Sequence, residues 1–74
     1  MIIQVEETEF NEALDLFKIL GYRWDANIYP PLFIPTRIFV EIGHSVMRYT
    51  YSNPDPGSTL TFSEFSTKQL ISIL

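Results

Sequence analysis

The sequence predicts a single small α+β domain over residues 1–74. Three observations predict this class. An apolar stripe of helical period follows the N-terminal residues, an alternating segment in the middle is typical of a β-hairpin, and a second helix-forming segment ends the sequence. The expected architecture is a small, mostly antiparallel sheet of the N-terminal strand, the hairpin and a short fourth strand. This sheet packs against one amphipathic helix, with a short C-terminal helix beside it.

The N-terminal segment predicts a strand, MIIQVE (residues 1–6), followed by a helix. Thr8 is a suitable N-cap for this helix. The apolar side chains at helical spacing are Phe10, Ala13, Leu14, Phe17 and Leu20. Gly21 is expected to end the helix as the left-handed residue of a Schellman motif, which would pack Tyr22 on Phe17.

The hairpin is predicted from residues 36–51, where apolar and polar side chains alternate on both sides of Gly43. Residues that face each other across a hairpin share one side of the sheet, so the loop must have an even length. A two-residue turn at Gly43-His44 and a four-residue loop over 43–46 both meet this condition. Either one places the apolar residues of the two strands on the same side: Ile38, Val40, Ile42, Met47, Tyr49 and Tyr51.

The last part of the sequence predicts a turn, a short strand and the second helix. The turn is SNPDPGS (residues 52–58), because its prolines, aspartate and glycine are typical turn residues. The segment TLTF (residues 59–62) is then extended, and the helix is capped by Ser63 or by Ser66. Its expected buried side chains are Phe65, Leu70, Ile73 and Leu74.

Composition excludes several classes of protein. There is no cysteine and only one histidine, which excludes disulfides and does not favour a metal site. The net charge of −4 does not favour direct nucleic-acid binding, which requires a basic surface. No apolar run approaches the about 20 residues of a membrane helix. The sequence therefore predicts a soluble cytoplasmic protein that does not bind a membrane.

The size of the domain also predicts self-association. A chain of 74 residues buries only about 60% of the surface that its unfolded form exposes, and without cysteine it has no covalent reinforcement. Hydrophobic residues make up 46% of the sequence, which is more than one small core readily covers. A homo-oligomer is the expected state.

The segment LGYRWDANIYPPLFIP (residues 20–35) has two interpretations. It can close the end of the core, or it can hold aromatic side chains at a surface for a partner, because aromatic residues dominate interface energies. We expect a division of roles in which Trp24 is mainly buried against Phe17 and the sheet. Tyr29, Leu32 and Phe33 are expected at a binding surface, held by the stiff prolines between them.

The second side of the hairpin contains the other candidate site, formed by Arg37, Phe39 and Arg48. It is either a solvated sheet face or a surface where the arginines hold an anion while Phe39 stacks on a base or packs on a protein. Catalysis is not predicted: His44 lies at a hairpin tip, and no nucleophile motif or phosphate-binding glycine loop is present. We therefore predict a protein that is not an enzyme and needs no cofactor.

Three segments, EFNEALDLFKILGYRWDANIYPP, RIFVEI and LTFSEF, together resemble small uncharacterised accessory proteins of tailed bacteriophages. The shared features are a helix that begins with phenylalanine and ends in Gly-Tyr-x-Trp, a proline-containing loop, a short hairpin and a closing Ser/Thr-x-Glu-Phe segment. The resemblance implies a phage-encoded protein that acts in the host cytoplasm. Such proteins commonly bind and disable a host factor, including defence systems.

The leading functional hypothesis is a non-enzymatic interaction protein that inhibits or redirects a host protein by occupying a surface. The alternative is an oligomeric protein that sequesters a small ligand, capturing a nucleotide signal between subunits through Arg37, Arg48 and aromatic side chains. An acidic mimic of nucleic acid is a third hypothesis, but the acids are too sparse to match the charge density of a duplex.

Overall fold

The computed structural model describes residues 1–32 and 36–73, and over these ranges the chain forms a five-stranded sheet and two α-helices. The strands are β1 (Ile2–Glu6), β2 (Arg23–Trp24), β3 (Arg37–Gly43), β4 (Val46–Thr50) and β5 (Thr59–Thr61). The helices are α1 (Phe10–Ile19) and α2 (Phe62–Ile73). The predicted α+β class is confirmed.

The prediction of a small, mostly antiparallel sheet is wrong, because the sheet is mixed. The strand order is β2-β4-β3-β1-β5, and both edge strands lie parallel to their neighbours. The pairs β1–β3 and β3–β4 are antiparallel, so β3 alone runs against the other strands of the described sheet. The reason is the path of the chain: α1 carries it back across the sheet, and β2 then starts from the same end as β1.

The hairpin register is the one expected for the four-residue loop. Ile42 pairs with Met47, which puts the apolar residues of both strands on one side. The turn itself is shorter, because Gly43 and Val46 still form a pair of the ladder. His44 and Ser45 occupy the turn with φ values of 54° and 67°. Positive φ at both central residues is the type I′ conformation, which fits the twist of the flanking strands.

The core lies between the two helices and one side of the sheet, which we call the inner face. Its buried residues are Ile3, Val5, Ala13, Phe17, Ile38, Val40, Ile42, Met47, Phe62 and Phe65. The predicted stripe of α1 is confirmed, because Phe10, Leu14 and Leu20 also pack against this cluster. Phe17 is at its centre, with its ring 5.7 Å from that of Phe65 and 6.4 Å from that of Phe62.

The two ends of α1 differ in how well the sequence predicts them. Thr8 is not the N-cap, because the helix is preceded by a 3₁₀ turn, Glu7–Glu9, and the backbone N–H of Glu6 donates to Oε1 of Glu9 at 3.0 Å. The predicted Schellman ending is confirmed. Gly21 has φ 83°. The N–H of Tyr22 donates to the carbonyl of Phe17 at 2.9 Å.

Helix α2 begins earlier in the chain than the predicted caps, Ser63 or Ser66, would place it. Helix α2 begins at Phe62, directly after β5, and neither Ser63 nor Ser66 caps it. A capping box forms instead: Oγ1 of Thr61 accepts from the N–H of Glu64, and the Glu64 carboxylate accepts from the N–H of Thr61, both at 3.1 Å. Phe65 is buried as predicted, but Leu70 is 59% exposed. Leu74 and the side chain of Ile73 lie outside the described residues.

Candidate interaction surface

Residues 25–32, which we call the crossing segment, leave β2 and pass over the outer face, the side of the sheet opposite the helices. Asp25 fixes where this segment begins. Its backbone N–H donates to the carbonyl of Met47 at 2.9 Å, and its carbonyl accepts from the N–H of Ile28 at 3.2 Å. Its carboxylate accepts from the N–H of Asn27 at 2.9 Å and from Nε of Arg48 at 2.8 Å. The first turn of the segment is therefore tied to β4.

The Asp25 carboxylate is held in its charged form. The hydrogen bond from the backbone N–H of Asn27, together with the guanidinium of Arg48, lowers the pKa of Asp25 although partial desolvation opposes this shift. Nη2 of Arg48 lies 2.7 Å from Oδ2 of Asp25, and only 11% of the Asp25 side chain is exposed. The ion pair and the turn therefore stabilise each other.

Beyond this turn, the crossing segment presents large apolar side chains to solvent. Tyr29 is 90% exposed and Leu32 is 96% exposed. A groove of about 510 Å³ lies beside Tyr29, where Ile28 faces Glu41 and Thr50 of the outer face. Phe33, the third residue expected at this surface, lies outside the described residues. The structure thus places Tyr29 and Leu32 where a partner can reach them.

The other predicted site residues do not come together as one anion site. Arg48 pairs with Asp25, and Arg37 lies 3.5 Å from the carboxylate of Glu6. Arg48 pairs with Glu41 of β3. Glu41 is four residues from Arg37 along the same strand, a separation of about 13 Å at the rise of a strand. Phe39 is only 7% exposed, so its ring offers little surface for stacking. An anion bound here would have to displace an ion pair.

Trp24 has a more exposed position than the sequence predicts. It is half-buried in the short edge strand β2, and its ring packs edge-on against that of Tyr49 at 5.7 Å. Tyr22, as expected, packs on Phe17, with ring centroids 6.1 Å apart. Trp24 therefore contributes to the edge of the core, while the centre is filled by the phenylalanines.

Sequence reasoning missed a second exposed apolar surface, on the helices. Ile19 is 80% exposed, and Leu70 and Ile71 are 59% and 66% exposed. The sequence gives no distinct signal for it, because adjacent residues of a helix can both pack on one core, as Ala13 and Leu14 do in α1.

Among the residues that the structure describes, no group of three or more histidine, aspartate or glutamate side chains is arranged to hold a metal ion. Neither α1 nor α2, the helices of the described part of the chain, has the length and apolar character that crossing a membrane requires. Comparison with protein-family models, with curated proteins and with solved structures gives no match for this sequence.

Proposed function

We propose that this protein is a non-enzymatic interaction protein that binds a host protein and inhibits or redirects it. The crossing segment supplies the contact. One observation carries the proposal: Tyr29 and Leu32 are almost fully exposed, on a segment whose start is tied to the sheet through Asp25. Tyr29 and Leu32 are three positions apart, so they expose apolar surface close together, and exposed apolar patches are typical of binding surfaces.

The anchoring of the crossing segment is a second reason to expect binding, in addition to the exposure of its side chains. A tyrosine brings a large contact area with few rotatable bonds, and residues of this kind dominate interface energies. Pro30 and Pro31 follow Tyr29 and restrict the backbone, so less conformational entropy is lost on binding. A preorganised apolar surface of this type suits tight occupation of a partner's surface.

The biological context of the proposal comes from the resemblance to small phage accessory proteins. On that basis the partner is a protein of the bacterial host, such as a component of a defence system, and the complex forms in the host cytoplasm. No comparable observation favours nucleotide capture. Arg37 and Arg48, the arginines predicted to hold the nucleotide, each contact a carboxylate instead.

The test compares variants in quantitative capture from host lysate. The double variant Tyr29→Ala/Leu32→Ala should keep the melting temperature within a few degrees and lose a specific captured protein. Tyr51→Ala is the matched control, because Tyr51 is 57% exposed but lies outside the crossing segment. Equal capture by the native protein and a folded double variant would contradict the proposal.

We also propose that the protein self-associates. The sheet edges offer little pairing surface, because β2 has two residues and β5 has three. The contact is therefore expected to use exposed apolar side chains outside the crossing segment, such as Ile71, which is 66% exposed. Sedimentation should show a mass above 8.6 kDa at tens of micromolar, reduced by Ile71→Glu. A monomer at this concentration would contradict self-association.

A further inference from the structure

The two helices leave an open groove on the side of the molecule away from the crossing segment. This helix groove has a volume of about 460 Å³. Its α1 wall includes Glu12, Asp15, Leu16 and Ile19, and the α2 side includes Phe62 and Leu70. Along α1 the wall extends over seven residue steps, or about 10 Å. A groove of this length matches about two turns of a third helix.

The floor of the helix groove is apolar and only partly covered. Leu16 is half-buried against the core, and Phe62 is buried beneath it. At the exposed end, Ile19 and Leu70 are 80% and 59% exposed. An amphipathic helix that places apolar side chains at positions i, i+3 or i+4, and i+7 would cover this surface by the usual helix-in-groove arrangement.

The charges of the helix groove indicate what kind of helix fits. Glu12 and Asp15 are exposed on the α1 wall, and none of the lining residues is basic. Ser66, Thr67 and Gln69 on the α2 side are uncharged. A partner that carries lysine or arginine beside its apolar residues would therefore gain attraction, in addition to apolar burial.

A second copy of this chain fits less well. A symmetric contact through the helix groove would bring Glu12 and Asp15 towards the same acids of the other copy, and each copy has a net charge of −4. Like charges brought together at an interface disfavour it. The exposed side of α1 carries Glu12, Asp15 and Lys18, and that of α2 carries Glu64 and Lys68. Neither is therefore the basic helix that the groove favours.

We propose that the helix groove is a second docking site, and that its occupant is a basic amphipathic helix of a partner protein. The site lies on the helices, whereas the crossing segment lies over the opposite side of the sheet. The protein can therefore hold two contacts at once, and the helix groove can bind even if the crossing segment does not.

The test uses two synthetic peptides of 18 residues that share the same pattern of leucines. One peptide has lysine at every polar position, and the other has glutamate there. Binding is followed by fluorescence anisotropy and by chemical-shift mapping on the full chain. We expect the lysine peptide to bind, with shifts confined to α1 and α2, and the glutamate peptide not to bind. Ile19→Ser/Leu70→Ser should weaken binding by about tenfold or more.

Charge variants separate a specific site from general attraction to an acidic protein. Glu12→Gln and Asp15→Asn should each weaken binding of the lysine peptide by about two- to fivefold at low salt, and less at high salt. Glu7→Gln is the matched control, because Glu7 is exposed outside the groove. Equal effects of all three charge variants would overturn the proposal.

Other outcomes are equally decisive. Binding of both peptides alike, or of neither, would overturn the choice of a basic helix. A folded Ile19→Ser/Leu70→Ser variant that sediments as a smaller species than the native protein would instead identify the occupant as a second copy. Tyr29→Ala/Leu32→Ala should leave peptide binding unchanged, so failure of the proposed function and failure of this inference are distinguishable.

Discussion

Replacing Phe17 by leucine tests whether the aromatic contacts at the centre of the core determine the stability of the domain. Phe17 is fully buried, and its ring lies within 6.4 Å of those of Tyr22, Phe62 and Phe65. Leucine keeps most of the buried apolar area but removes these ring contacts. Each aromatic pair contributes about 0.5–1.5 kcal/mol beyond its area, and some of this is replaced by leucine contacts.

We therefore expect Phe17→Leu to lower the free energy of unfolding by about 2–4 kcal/mol. The total free energy of unfolding of a domain of this size is about 4–11 kcal/mol, so the expected loss is a large fraction of it and should shift the unfolding transition clearly. The melting temperature should fall by about 8–32 °C, because each kcal/mol shifts it by about 4–8 °C in so small a domain.

The assay is urea and thermal unfolding followed by circular dichroism, with Phe10→Leu as the matched control. Phe10 is on the same helix and packs against the core, but it is only half-buried. Phe10→Leu should lower the free energy of unfolding by less than about 1.5 kcal/mol, because it is a conservative apolar change at a half-buried position. If both variants lose the same stability, the ring contacts of Phe17 are not what distinguishes the two positions, and the reasoning is refuted.

Three further changes test other parts of the structure. Thr61→Ala removes the oxygen that accepts from the N–H of Glu64. This change should lower the free energy of unfolding, measured in urea, by about 1 kcal/mol. Trp24→Ala should cost about 2–3 kcal/mol in the same assay, less than a fully buried tryptophan, because Trp24 is half-buried. The pKa of Asp25 is lowered in the folded state, so its stabilising contribution is present above the unfolded-state pKa and is lost as pH falls through the folded-state pKa. Asp25→Asn should therefore lose less stability than the native protein across that acidic range, and an identical pH dependence would contradict the shift.

The parts of the fold that could be predicted are those with a strong local pattern. The stripe of α1 repeats over three turns, and Gly21 marks its end. The hairpin register follows from side-chain parity, which a slip of one residue would reverse. These features depend on residues near each other in sequence, and the structure confirms them.

The edge strands could not be predicted in the same way. Strand β2 has two residues, too few to show an alternating period, and its pairing with β4 depends on the path of the whole chain. The start of α2 is a different kind of error. The capping residues Thr61 and Glu64 are visible in the sequence, but TLTF also alternates like a strand, so the local pattern alone does not determine where the helix begins.

The arginines show why the candidate site was only partly predictable. Arg48 and Asp25 are 23 residues apart, and nothing local indicates that they pair. Exposure of Tyr29 could be anticipated, because the stiff Pro30-Pro31 pair that follows it can hold side chains outward at low entropic cost. Sequence can therefore indicate which side chains are suited to binding, while the ion pairs that position them depend on tertiary structure.

The arrangement of the two surfaces follows from the mixed sheet. Both helices lie on the inner face and form the core, whereas the crossing segment lies beside side chains of the outer face. Its first turn is held by polar contacts of Asp25, and its exposed residues, Tyr29 and Leu32, take no part in the core cluster. Substitutions at these two positions should therefore have little effect on the free energy of unfolding. The helix groove differs, because Leu16 contributes to the core from beneath it and only its rim can vary freely. If both proposals hold, substitutions in the crossing segment would alter binding with little effect on stability, whereas substitutions at Leu16 in the helix groove would alter both.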